Sequence, residues 1–176
     1  YQNTDLFEKA VTAYQRTLAH AKTIEHQALI LNNNMNIGHV YTLQKDFAKA
    51  LDAYQAAYTL AANDNERADT ESSIAASEFA LAHYDKAVEY QIKAYLMYEK
   101  VGTLDQYAEA LTHLTEYELA AKRLNDGERY ANKLITFAKD NGGVYYEAKG
   151  QLLLAKIKVA ESNKSAAKPL LSSAKA

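Results

Sequence analysis

The chain repeats itself about every forty residues, and this internal period constrains its fold more than any other feature. In the clearest copy an aromatic residue, Phe47, is followed by Ala50 and Ala57, and the same frame recurs as Tyr84, Ala87 and Ala94. Successive copies of the frame begin at Phe7, Phe47, Tyr84, Leu124 and Lys164, which are 40, 37, 40 and 40 residues apart. A fixed period of this length is typical of arrays in which each repeat is one supersecondary unit.

Each unit is predicted to be a pair of helices. The sequence contains one proline and six glycines, too few for the turns of an all-β or α/β domain, and good helix formers dominate every long segment. Apolar residues follow the three-and-four spacing of amphipathic helices. The sequence therefore predicts an all-α chain in which small residues on one helix face large residues on the next.

The whole chain, residues 1–176, is predicted to be one array of repeats. Turn and cap residues divide this array into a half repeat at 1–24 and units at 25–63, 64–102, 103–142 and 143–176. The predicted links within units are Gln44–Asp46, Ala82–His83 and Leu124–Gly127, and those between units are Asn63–Asn65, Val101–Thr103 and Asp140–Gly143. Pro169 is predicted to lie within the first turn or two of the last helix, where it is tolerated if that helix starts late, because early helical amides lack carbonyl partners.

The run from Asn34 to Ala57 resembles a tetratricopeptide repeat (TPR). Its first helix has Gly38 and Tyr41 at the signature positions, and its second has Phe47, Ala50, Tyr54 and Ala57. The later units match this pattern less well, with Ala75 and Glu78 where the family has glycine and tyrosine. The resemblance implies a right-handed α-solenoid of antiparallel helix pairs, and it covers essentially the whole chain.

Units near forty residues are similar to the longer-helix TPR variety of bacterial signal-transduction proteins and kinesin light chains. The resemblance implies a protein- or peptide-binding scaffold whose effector domain lies elsewhere in a longer protein. Neither end shows a polar capping helix of the kind that solenoids need for solubility. We therefore expect a fragment of a longer chain, or an open end covered by another subunit.

In this family the first helix of each unit lines the concave side, which implies a mostly polar groove. Side chains of this type bind the backbone of an extended or helical peptide. The implied concave-face candidates are Asn32, Met35, Asn36, His39, Asp69, Ser72, Ser73, Thr112, His113, Glu116, Lys149 and Lys156, with Glu109 beside them. The chaperone-binding carboxylate clamp is not expected, because only Asn36 and Lys149 match it.

An asparagine run, Asn32–Asn34 with Asn36, is the most unusual local feature. Asparagine is a mediocre helix former, so this density within one helix has a cost. On one interpretation Asn32 and Asn36 hold a peptide backbone. On the other, Asn33 and Asn34 occupy surface or inter-helix positions and the other two are merely solvated.

Charge and composition exclude several function classes. The formal net charge is −2, so there is no electrostatic signature of nucleic-acid binding, and no apolar run approaches the roughly 20 residues of a membrane span. Cysteine is absent, which excludes disulfides and thiolate metal sites but leaves the compartment open between cytoplasm and periplasm.

No catalytic, metal or cofactor site is predicted. None of the five histidines pairs with another at the spacing that places two ligands on one helix face. His39 and His113 face the implied groove, where they could sense pH, although a plain surface role is the simpler interpretation. Glu109, Glu116 and Glu118 are interpreted as a solvated face and Gly142–Gly143 as a turn, so we do not expect an enzyme.

The fourteen tyrosines divide into two groups. Tyr14, Tyr41, Tyr54, Tyr84 and Tyr90 fall where the repeat packs against itself and are predicted to be core. Tyr58, Tyr95, Tyr98, Tyr145 and Tyr146 have no such place, and the pair Tyr145–Tyr146 is a candidate interface.

Three hypotheses about function follow. The leading one is a non-catalytic protein- or peptide-binding scaffold, the sensory or interaction part of a bacterial signalling protein. The alternatives are a self-association module that forms a homo-oligomer through uncapped ends, and an intracellular receptor for a signalling peptide.

Overall fold

The chain is all-helical in the computed structural model, which describes residues 2–174. Within that range it forms nine α-helices and no β-strand. The helices are α1 (Gln2–Thr23), α2 (Gln27–Leu43), α3 (Phe47–Tyr58), α4 (Asp64–Ala80), α5 (Tyr84–Val101), α6 (Leu104–Ala120), α7 (Leu124–Asp140), α8 (Val144–Ala160) and α9 (Lys164–Ser173). The chain divides into two compact units, Tyr1–Ala94 and Tyr95–Ala176, with the boundary inside α5.

The predicted repeat frame coincides with the helix starts. Helices α3, α5, α7 and α9 begin at the residues that open successive copies of the frame, and the four first helices α2, α4, α6 and α8 each have 17 residues. Links predicted at 44–46 and 82–83 are confirmed, and those at 101–103 and 140–143 are confirmed except that Val101 and Asp140 are still the last residues of α5 and α7. The link predicted at Asn63–Asn65 is misplaced, because α4 already begins at Asp64 and the link consists of residues 59–63. No helix among residues 2–174 is both long enough and apolar enough to cross a bilayer.

The link predicted at Leu124–Gly127 is wrong. Helix α7 already begins at Leu124, and the turn before it consists of residues 121–123. Gly127 is buried inside the helix, where a Cβ would lie 3.2 Å from Ile157 Cδ1. It occupies the frame position of Ala50 and Ala87, so this glycine serves close helix packing.

Six turns share one backbone geometry. In each, a residue two places before the next helix has positive φ: Glu25, Lys45, Ala82, Lys122, Gly142 and Ser162. At the end of α2, for example, the Lys45 amide donates to the Thr42 carbonyl at 3.0 Å, and the Asp46 amide donates to the Tyr41 carbonyl at 2.9 Å. These two bonds form the Schellman motif, which usually has glycine at the left-handed position. Only one of the six turns has it.

The remaining two interhelical turns end in extended N-cap residues. The Asn63 side chain accepts from the Glu66 amide at 2.9 Å at the start of α4. Thr103 and Gln106 form a reciprocal capping box at the start of α6. These side chains satisfy amides that the first turn of a helix leaves without carbonyl partners.

In the first unit, aromatic and aliphatic side chains from α2, α3 and α4 form the core. Tyr54 is 3% exposed and packs with Ala50 and Ile74, and Met35 and Tyr41 lie against this cluster. A Cβ at Gly38 would lie only 2.5 Å from the Tyr54 ring. The absence of a side chain at 38 therefore lets α2 approach the tyrosine of α3.

In the second unit, leucine and isoleucine side chains fill the space between helices α6, α7 and α8. Leu111, Leu114, Leu134, Leu153 and Ile157 are all essentially fully buried. Gly150 of α8 repeats the close approach seen in the first unit, since a Cβ there would lie 2.7 Å from the Ile135 side chain. Such contacts bring neighbouring helices to native packing density.

The tyrosine predictions are partly wrong. Tyr54 is buried as predicted, and Tyr14, Tyr41 and Tyr90 are partly buried, but Tyr84 is 36% exposed because it opens α5 at the surface. Tyr95 and Tyr98, which had no predicted place, are each 7% exposed and belong to the core of the second unit.

Glu118 is also not on a solvated face. It is 3% exposed, and one of its carboxylate oxygens accepts a hydrogen bond from Arg123 Nε. Glu78, at the equivalent position one repeat earlier, is equally buried and contacts His83 Nδ1 at 2.6 Å. Both carboxylates therefore bind the residue that precedes the next helix, because a buried charge requires a partner.

Candidate functional site

On α2, three of the four predicted groove positions form an exposed polar row. Asn32, Asn36 and His39 are spaced four and three residues apart and are exposed, so their side chains lie on one helix face. The His39 ring also meets the edge of Tyr54, with centroids 5.6 Å apart. Met35 is partly buried between two core clusters, so it supports this row from beneath.

The asparagine run divides between an exposed and a more buried environment. Asn33 and Asn34 each donate from Nδ2 to the carbonyl four residues earlier, at 2.7 and 3.0 Å, and Asn33 is 4% exposed. Their amide groups thus replace solvent hydrogen bonds with local ones. Asn32 and Asn36 are exposed.

On α4, the predicted positions are partly buried. The Ser73 hydroxyl donates to the Asp69 carbonyl at 2.9 Å, and the Ser72 hydroxyl donates to Gln91 Oε1 at 3.3 Å. The serines therefore already form hydrogen bonds within the first compact unit.

In the second unit the structure brings four predicted residues into one cleft between α6 and α8. Thr112, His113, Glu116 and Lys149 line a cavity of about 140 Å³. The same cavity is lined by Glu109, Tyr145 and Tyr146. The tyrosine pair, which the sequence indicated as a separate interface, thus belongs to the site of His113.

His113 is more enclosed than a surface histidine. Its ring stacks on Tyr117 with centroids 5.7 Å apart and planes 5° apart, and its Nδ1 is buried without a hydrogen-bond partner among the described residues. Burial lowers the pKa of His113; Glu116 and Glu109 oppose the shift, and Lys149 adds to it. The imidazole is therefore neutral at neutral pH, and its Nδ1 is buried away from solvent.

Lys149 and Glu116 neutralise each other across the cleft. Lys149 Nζ lies 3.0 Å from Glu116 Oε1, and the two side chains are 31% and 33% exposed. Thr112 is buried at 8% exposure and donates its hydroxyl to the Ala108 carbonyl, so it forms the floor. Lys156, the remaining predicted position, is exposed and lies outside the residues that line this cleft.

The outer wall of the cleft is aromatic and acidic. Tyr145 is 70% exposed, and its ring meets the edge of Tyr146 at 5.1 Å. Burial raises the pKa of Tyr146, and the nearby carboxylates of Glu109 and Asp105 raise it further. Asp105 is thus a further acidic group at this rim.

Sequence reasoning missed a buried carboxylate in the first unit. Glu71 of α4 is 1% exposed, and its Oε2 has no hydrogen-bond partner among the described residues. Burial raises the pKa of Glu71, while a hydrogen bond with Tyr58 and the charges of Lys93 and Arg67 oppose that shift. Nothing in the helical pattern distinguished this glutamate from exposed ones.

A second missed cluster surrounds Lys133 of α7. Its Nζ contacts Glu99 Oε1 at 3.0 Å, donates to the Tyr95 hydroxyl, and lies 5.7 Å from the centre of the Tyr107 ring. Burial would lower the pKa of Lys133, but its bonds to Tyr95, Tyr107 and Glu99 outweigh that effect and raise it. Burial raises the pKa of Tyr107 to about 12. This cluster joins α5, α6 and α7, which is a structural role.

The described residues contain no group suited to binding a metal ion. Among residues 2–174 no three histidine, aspartate or glutamate side chains are grouped so that they could hold a metal ion. The α6–α8 cleft has two carboxylates, an ammonium group, a hydroxyl, two phenol rings and an imidazole around a space of about 140 Å³.

Comparison with solved structures identifies the fold. The chain matches the TPR-like repeats of a kinesin light chain from Podosopora anserina at a TM-score of 0.86 and 14% identity, covering 99% of this chain and 88% of that one. It matches a signal-transduction ATPase with a tetratricopeptide repeat sensor from Pyrococcus horikoshii at a TM-score of 0.86 and 19% identity, covering 96% of this chain and 27% of that one.

A third match carries a bound peptide. The Rap conjugation gene regulator of plasmid pLS20, in complex with the Phr peptide, aligns at a TM-score of 0.73 and 16% identity, covering 88% of this chain and 44% of that one. No family model matches the sequence. No curated protein matches it either. At these identities the likeness shows the fold alone, which is the all-α repeat fold of TPR solenoids and confirms that prediction.

Proposed function

We propose that this chain is a non-catalytic repeat scaffold that binds a protein or a peptide along the polar faces of its first helices. The observation that carries the proposal is the α6–α8 cleft, where Thr112, His113, Glu116 and Lys149 meet. Such polar positions recur in the first helix of each repeat, so a bound polypeptide in an extended conformation would have polar groups to contact in every repeat.

The side chains of the cleft argue against catalysis. A nucleophile and a base must lie within hydrogen-bond reach of each other, but the Thr112 hydroxyl already donates to its own helix. In the described part of the chain, His113 Nδ1 has no carboxylate partner to orient it. Recognition of a ligand requires neither arrangement.

The proposed setting is the sensory or interaction part of a bacterial signalling protein. Its support is the long repeat, together with the likeness to a signal-transduction ATPase sensor and to a plasmid gene regulator that binds a peptide. On this basis a signalling peptide is one form that the ligand could take. The whole protein would supply the effector.

A random-peptide display selection against the whole chain tests the proposal. Recovered peptides should lose affinity when His113→Ala and Lys149→Met are introduced, or when Asn36→Ala and His39→Ala are introduced on α2. The matched control is Asn132→Ala with Thr136→Ala, two exposed positions on the second helix α7. Peptides that bind all three double variants equally would reject the first-helix faces as the binding surface.

Self-association is the second candidate. An apolar cavity of about 340 Å³ lies between α8 and α9, lined by Tyr145, Ala148, Lys149, Leu152, Leu171 and Ala174. Leu152 and Leu171 are 37% and 39% exposed, and burying them would favour association. Light scattering over a range of concentrations decides this, because a constant monomeric mass would reject it.

A further inference from the structure

The charges around the α6–α8 cleft do not balance. Glu116 is neutralised by Lys149 at 3.0 Å, and His113 is neutral at neutral pH because burial lowers its pKa. Glu109 forms no ion pair with any residue of the described part of the chain and is exposed at the cleft mouth. Asp105 adds a second carboxylate beside Tyr146. An excess of negative charge therefore remains at the mouth.

The aromatic wall lies on the same side as this charge. Tyr145 and Tyr146 line the cavity together with Glu109, and Tyr145 offers 70% of its surface to solvent. The face of a tyrosine ring attracts cations, and guanidinium groups in particular both stack on rings and bind carboxylates through paired hydrogen bonds. Carboxylate and ring together specify a flat cation better than either does alone.

The size of the space limits the ligand to one side chain. A cavity of about 140 Å³ holds the head group of a single residue and not a folded segment. His113 lines the same space, and a neutral imidazole does not repel a cation as an imidazolium would.

We propose that the α6–α8 cleft is the pocket for an arginine side chain of the bound polypeptide, with Glu109 as its carboxylate partner and Tyr145 as its stacking partner. This rests on the proposed function, because the arginine belongs to the peptide or protein that the scaffold binds. The arginine pocket would make the scaffold specific for arginine at one position of the bound polypeptide.

The test uses N-acetyl-L-arginine amide as the probe and N-acetyl-L-citrulline amide as its neutral isostere. Amide shifts of the isotopically labelled chain are followed by NMR during titration of each compound. The arginine compound should cause saturable shifts at residues 105–116 and 145–149, and citrulline should cause none there. Equal shifts from both compounds, or none from arginine up to its solubility limit, would overturn the proposal.

The variant Glu109→Gln removes the charge and keeps the shape. It should weaken arginine binding about tenfold, as expected for the loss of a charge-assisted hydrogen bond. Asp52→Asn, an exposed acid on α3, is the matched control and should leave the titration unchanged. An unchanged affinity in Glu109→Gln would also overturn the proposal.

Failure here is distinguishable from failure of the proposed function. If display selection yields peptides that need the first-helix faces but tolerate replacement of every arginine by citrulline, the scaffold stands and the arginine pocket falls. If arginine binds the cleft but no peptide depends on those faces, the affinity of the cleft for arginine stands, while the peptide-binding function and the assignment of the arginine to a bound polypeptide both fall.

Discussion

Gly38 of α2 and the ring of Tyr54 of α3 lie so close that any Cβ at position 38 would be 2.5 Å from the ring. The contact is between the two helices of one repeat, and Tyr54 is itself 3% exposed. The ring therefore has no open space into which it could move. The helix pair is built around the missing side chain.

Gly38→Ala should destabilise the chain by about 1–3 kcal/mol, the usual cost of overpacking a filled core. Chemical unfolding followed by circular dichroism measures the loss. Gly143→Ala is the matched control, because a Cβ there would meet its nearest atom at 3.6 Å, an ordinary contact. A loss in Gly38→Ala no larger than that of the control would contradict this packing.

Ala82→Gly should stabilise the chain by about 1 kcal/mol, because Ala82 has a φ of 62° and left-handed backbone is unfavourable for any residue with a Cβ. The same substitution within the preceding helix, at exposed Ala76, should destabilise by about 0.5–1 kcal/mol. Thermal unfolding of the two variants should therefore shift the midpoint in opposite directions. Shifts of the same sign would contradict the turn geometry.

The stability contributed by His113 should depend on pH. Burial places its folded-state pKa below the unfolded value of about 6.5, so below that pH the unfolded chain binds a proton that the folded chain resists. This contribution is complete above pH 6.5 and is lost as pH falls through the folded-state pKa. Glu71 acts in the opposite sense, because burial raises its pKa.

Comparison with His113→Gln separates the two effects. Urea unfolding of both proteins between pH 5 and pH 8 should show the difference, wild type minus variant, decreasing as the pH falls. Because Glu71 is present in both proteins, its effect cancels in this difference. Parallel pH profiles would show that His113 is not protected from protonation.

The helical frame could be predicted from the sequence because its signal is periodic. Burying one face of each helix imposes the spacing seen at Ala50 and Ala87, and this spacing survives where other signature residues do not. The turns could not be predicted in the same way. Lys45, Ala82 and Lys122 hold left-handed backbone through main-chain hydrogen bonds, and their side chains give no indication of it.

The cleft was predictable only in part. The resemblance placed His113 and Lys149 on inward faces, but their meeting depends on how α6 packs beside α8, which is a tertiary relationship. The inclusion of Tyr145 follows from the same packing. The burial of Glu71 and Glu118 was equally hidden, since a glutamate has the same place in a helical pattern whether water or protein surrounds it.

The uniform turns have a consequence for how such a chain can change in length. Ala82 and Lys122 are forty residues apart and adopt the same left-handed geometry with the same pair of main-chain bonds. A duplication or deletion bounded by two such joints leaves the geometry of every other joint as it was. Whole repeats can therefore be gained or lost without a new type of turn, which makes the number of repeats the easiest property of this architecture to alter.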